Sequence, residues 1–109
     1  MANTFKLKTK ANVGVTTVGI YTAPAATTTV VIGITMANTS GSGVNVGVGI
    51  TRAGTTEDVK LLKNAPIPQG SSLEFMSGNK IVLEATDTVV VDSDTINSVD
   101  AALTMMEIT

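Results

Sequence analysis

The sequence predicts an all-β protein, an antiparallel β-sandwich of jelly-roll-like type with about eight strands. Three observations carry that expectation. Apolar residues recur at period two rather than at the 3.6 of a helix. Turn-forming residues punctuate the chain at Pro24, Asn38 to Gly43, Gly54, Pro66 with Pro68, Gly70, Ser77 to Asn79 and Asp92 to Ser98. The forty-one residues from Ala11 to Thr51 carry no charge, yet glycine and polar residues interrupt every apolar run.

Taken in order, the first extended segment falls near residues 3–10. Alternation puts Lys6, Lys8 and Lys10 on one face and Phe5 with Leu7 on the other. Residues 1–10 therefore read as an edge strand guarded by lysine, or as an N-terminal arm that docks on an acidic neighbour. A second strand is expected near 17–22. Within TTTVVIGITMANTSGSGVNVGVGI, residues 27–50, Val30, Ile32, Ile34 and Met36 share one face, as do Val44, Val46, Val48 and Ile50. This pattern predicts a β-hairpin with Met36 opposite Val44, Ile34 opposite Val46, Ile32 opposite Val48 and Val30 opposite Ile50, joined by Asn38 to Ser42. Gly33, Gly47 and Gly49 would line the other face, where a neighbouring backbone could approach closely. Further strands are expected near 57–64, 71–76, 80–84, 88–92 and 99–108, with one possible site for a helical turn, Glu57 to Lys63. The last strand is apolar on both faces: Val99, Ala101, Leu103 and Met105 on one, and Ala102, Met106 and Ile108 on the other. A strand of this kind is buried twice, by the core and by a loop or another subunit. No linker or internal repeat divides the chain, so residues 1–109 form a single domain.

The 24-residue stretch is not a membrane span, because its glycines and Asn38 to Ser42 break any helix. A membrane barrel would carry aromatic girdles, and the chain has only Phe5, Tyr21 and Phe75. Its glycines match neither a P-loop nor a dinucleotide fingerprint.

Charge is unevenly distributed. Residues 1–56 hold Lys6, Lys8, Lys10 and Arg52 and no acid. Residues 57–109 hold three lysines against nine acids. The two halves either neutralise each other within the domain or meet between neighbouring subunits. The net charge of −2 gives no reason to expect a nucleic-acid or membrane partner.

The residue inventory lacks the side chains that common catalytic sites require. With no histidine and no cysteine, the familiar nucleophilic triads and zinc sites lack their residues. Asp92, Asp94 and Asp100 in VDSDTINSVD suggest calcium, but Ile96, Asn97 and Leu103 stand where an EF-hand needs a ligand, glycine and glutamate. They read as ordinary turn residues. Asn38–Thr39–Ser40 matches a glycosylation sequon, and no secretory signal accompanies it. No enzyme activity, cofactor or metal is expected.

Three segments, YTAPAATTTVVIGITMANTSGSGVNVGVGI, VKLLKNAPIPQGSSLEF and KIVLEATDTVVVDSDTINSVDAALTMMEIT, together resemble small virion structural proteins of tailed bacteriophages, particularly those of marine bacteria and cyanobacteria. The resemblance covers roughly residues 16–109. It implies a non-enzymatic β-sandwich assembled in several copies on a virus particle, as capsid decoration, head fibre or tail-associated component. The implied partners are other copies of the chain, a trimer among the options, and phage capsid or tail proteins. Candidate contact residues are Phe5, Lys6, Lys8, Lys10, Gly33, Gly47, Gly49, Met106 and Ile108. The leading expectation is capsid decoration. Its alternatives are a fibre, neck or baseplate part, or a carbohydrate-binding module using Tyr21 or Phe75 as a stacking platform.

Overall fold

A computed structural model describes residues 3–52, 58–75 and 80–109, with only the backbone of Phe75. Nine strands form among them: β1 (Asn3–Val13), β2 (Val18–Thr22), β3 (Thr28–Asn38), β4 (Val44–Thr51), β5 (Asp58–Ile67), β6 (Ser72–Phe75), β7 (Ile81–Leu83), β8 (Thr88–Ser93) and β9 (Val99–Ile108). They make two antiparallel sheets. The first runs β1-β9-β3-β6, with β7 also on β3, and the second runs β2-β8-β4-β5. β6 pairs with Ile34 to Ala37 of β3 and β7 with Thr29 to Val31. These two short strands thus occupy one edge position, and the sandwich has the eight positions of a jelly roll.

The core lies between the sheets. Ile34, Met36, Leu83, Leu103 and Met105 meet Val46, Val48, Ile67, Val89 and Val91, all nearly inaccessible. Each such side chain contributes roughly 1.5–3 kcal/mol by leaving water, which explains why a chain without disulfides holds this shape.

The expected hairpin between β3 and β4 does not form. β3 pairs with β9, β6 and β7, whereas β4 pairs with β8 and β5. The connection is an arch that carries the chain from one sheet to the other, so the two apolar faces oppose each other across the core. Asn38 fixes the arch. Its backbone N–H donates to Ser71, while its side chain donates to the carbonyls of Ser42 and Ile67 and accepts from Ser40.

The predicted face of β3 is also split. Ile32 is an extra residue opposite β9, a bulge between Val31 and Gly33. The bulge shifts the alternation by one, sending Thr29 and Val31 into the core with Ile34 and Met36, while Val30 and Ile32 remain half-buried. The suggested helical turn is strand instead: Asp58 to Lys63 belongs to β5, and Glu57 lies outside the described residues.

Candidate interaction surface

β9 organises the outer face of the first sheet because alternation divides its side chains cleanly. Val99, Ala101, Leu103, Met105 and Glu107 are buried, while Ala102, Met106 and Ile108 are half-buried on the other side. Phe5 of β1 lies opposite Met106, Met106 lies opposite Val30 of β3, and Val30 lies opposite Val82 of β7. Four strands therefore present one transverse apolar row. Phe5 is 70% exposed and Val82 58% exposed. Leu7, 62% exposed, flanks the row on one side, and the Asn3–Ile108–Thr28 row flanks it on the other. None of these residues is charged.

The opposite side of β1 has different chemistry. Lys6, Lys8 and Lys10 face the side on which β2 lies, and Lys6 and Lys8 line a cavity of about 340 Å³ with Ile20, Tyr21, Pro24 and Glu107. Lys6 pairs with Glu107 at 2.9 Å. Glu107 is buried and also accepts the Tyr21 hydroxyl at 2.6 Å, while Thr29 Oγ1 lies 2.8 Å from the same hydroxyl. The Tyr21 and Lys6 hydrogen bonds hold the Glu107 carboxyl below its ordinary value, against the opposing effect of burial. Burial, then the hydrogen bond to Glu107, push Tyr21 up to about 12.

The contact candidates thus separate. Phe5, Met106 and Ile108 share the outer face, where Gly33 also lies, opposite Thr104 with open space above it. Lys6, Lys8 and Lys10 occupy the other side of β1. Gly47 and Gly49 lie in the second sheet, hemmed in by their own chain: a Cβ on Gly47 would sit 2.6 Å from an Asp92 carboxylate oxygen, and one on Gly49 would sit 2.8 Å from the Val59 carbonyl. Sequence reasoning missed Val30, Val82 and Glu107. For Glu107 the signal was present, because alternation puts it in register with Val99, Ala101, Leu103 and Met105.

Other side chains are committed locally. Asp92 accepts from Thr17, Asp94 from the Asn45 amide and Asp100 from the Asn12 amide, so these three carboxylates hold separate partners. No group of three potential metal ligands converges among the described residues. Asn38 of the sequon is buried and bonded at both ends of its amide. Tyr21 is buried, which removes it as an exposed stacking platform, and the side chain of Phe75 lies outside the described residues. Among the described residues, no helix is long and apolar enough to cross a membrane.

The ion pairs join the two halves of the sequence within one chain. Besides Lys6 with Glu107, Arg52 reaches Asp87 at 3.1 Å and also pairs with Glu84.

No family model and no curated protein matches the sequence. The fold is similar to that of a chain in the Bacillus endospore appendages, described as a novel family of disulfide-linked pili. The TM-score is 0.57 at 15% identity, over 99% of this chain and 87% of that one. It is also similar to a chain in the acidic stable capsid structure of Helicobacter pylori bacteriophage KHP30. There the TM-score is 0.59 at 11% identity, over 100% of this chain and 94% of that one. What the three chains share at these identities is the sandwich fold.

Proposed function

We propose that this chain is a non-enzymatic structural protein of a bacteriophage virion, which decorates the capsid in many copies and stabilises it by protein–protein contact. The observation that carries this reading is the uncharged row Phe5–Met106–Val30–Val82 with Leu7 beside it, an apolar surface spanning four strands. Surfaces of this kind on soluble chains mark contacts. A standard interface buries about 1,600 Å² in total, and symmetry repeats it around a particle.

Two further findings support the reading. The two structural neighbours named above come from multi-copy assemblies, a capsid and a pilus. The sequence has no cysteine, so the contacts proposed for it involve no disulfide of its own.

The test is co-sedimentation with capsids that lack the protein. Wild type is expected to bind saturably and Met106→Asp to lose binding while keeping its fold. Binding that survives Met106→Asp would show that the row is not the contact. Label found on tails or fibres of intact particles, rather than on heads, would move the protein to the neck, baseplate or fibre.

A further inference from the structure

β1 is the edge of the first sheet: β9 pairs with one side of it over nearly its full eleven residues, and among the described residues no strand occupies the other. All of its residues but Val13 are exposed. A long edge of this kind is a template for another chain. β1 is also two-faced, with Phe5 and Leu7 on the side of the apolar row and Lys6, Lys8 and Lys10 on the other. Lys6 is committed to Glu107, but Lys8 and Lys10 have no carboxylate within ion-pair distance among the described residues.

We propose that the free edge of β1 takes up an extended segment of a neighbouring virion protein as an added strand, one that alternates acidic with apolar residues. The inference rests on the structural-protein reading and names the partner of that surface. Backbone pairing supplies the docking, and side-chain parity supplies the choice. Acids on the added strand lie beside Lys8 and Lys10, and its apolar residues extend the Phe5–Met106–Val30–Val82 row by one strand. A second copy is a poor occupant. Antiparallel pairing of β1 with β1 sets lysine against lysine on one face, which is destabilising. No stretch of this sequence alternates acids with apolar residues over such a length. The lysines therefore act in both directions, against self-pairing and in favour of an acidic strand.

The test uses the full chain and a synthetic peptide, as long as β1, that alternates aspartate or glutamate with valine or isoleucine. Calorimetry is expected to show saturable binding that weakens as salt is raised. The Lys8→Glu/Lys10→Glu variant is expected to bind about tenfold more weakly or worse, since each exposed attraction becomes a repulsion. Both side chains are exposed and lie outside ion-pair distance of every described carboxylate, so circular dichroism should report an intact fold. A peptide N-methylated along one edge is expected to lose binding, because it cannot complete the ladder. Absence of binding overturns the proposal, as does equal binding by a peptide with lysine in place of its acids. Binding that survives N-methylation overturns strand addition, whatever the lysine reversal does. Peptide failure with capsid binding intact removes only this inference, and the converse removes only the decoration reading.

Discussion

The Tyr21 hydroxyl donates to Glu107 across 2.6 Å, joining the second sheet to β9 of the first through a bond between two buried side chains. Lys6 completes the arrangement from β1. A polar link inside an apolar sandwich costs solvation unless every member is satisfied, and here each carboxylate oxygen has a donor. The chain has only one tyrosine, so its ionisation is directly readable. Tyrosinate absorbance is expected to titrate with a midpoint near 12 rather than the ordinary 10.0. Because the folded value is raised, this group's stabilisation is intact below 10.0 and is lost as pH climbs toward about 12. An unshifted midpoint in the folded protein would contradict the buried contact.

Tyr21→Phe keeps the ring and removes the donor. Its expected cost is about 1–3 kcal/mol, because Glu107 is left buried with one donor fewer. Urea unfolding measures it, and an unchanged midpoint would mean that the hydrogen bond contributes nothing net.

The Glu107 carboxyl behaves with the opposite sign. Its folded value lies below the ordinary 4.5, first through Tyr21 and then through Lys6. Its contribution is therefore complete above 4.5 and drains away as acid carries the pH below that point. A pH series of unfolding curves should show the gap between wild type and Glu107→Gln closing on the acid side. A gap that stayed constant there would assign the difference to packing.

Gly49 and Gly33 make a paired test. A methyl group on Gly49 would stand 2.8 Å from the Val59 carbonyl, a backbone atom of β5, whereas one on Gly33 meets nothing within 4 Å. Gly49→Ala is expected to cost about 1–3 kcal/mol through forced backbone shifts. Gly33→Ala should be neutral or slightly stabilising, since alanine loses less entropy than glycine in a strand. Equal effects on thermal unfolding would remove the distinction between them.

Asn38→Ala should destabilise the fold by about 1–3 kcal/mol, since the carbonyl of Ile67 and the amide of Ser40 lose a buried or half-buried partner. Hydrogen exchange should show the loss concentrated in the arch and at the end of β5. Uniform loss across both sheets would contradict the local role of this side chain.

Much of this architecture was legible because burial imposes parity. β9 was readable as a two-faced strand from Val99 and Met105 against Met106 and Ile108, and the lysine side of β1 was equally plain. Pairing was not legible. A hairpin and an arch between sheets share the same one-dimensional pattern, since both bring Met36 and Val44 onto a common apolar environment. What separates them is a long-range partner: Ser71 for the Asn38 amide, β8 for β4. Alternation also carries no mark of the bulge at Ile32, so residues on either side of it were assigned to one face. The apolar row was half visible. Phe5 and Met106 showed in sequence, but Val82 joins them only because β7 pairs with β3.

β9 sits between β1 and β3, although eight described strands precede it in sequence. During synthesis, β1 leaves the ribosome with its ladder partner β9 about a hundred residues behind it, Asn3 waiting for Ile108. The first sheet cannot close until the ten residues of β9 are delivered, so its closure depends on distant contacts. Until then the edges of β1 and β3 that β9 will cover stay unmatched. The same ten residues that complete the sheet also supply Met106, which joins Phe5 of β1 to Val30 of β3 in the outer apolar row, so sheet closure and the making of that surface are one event.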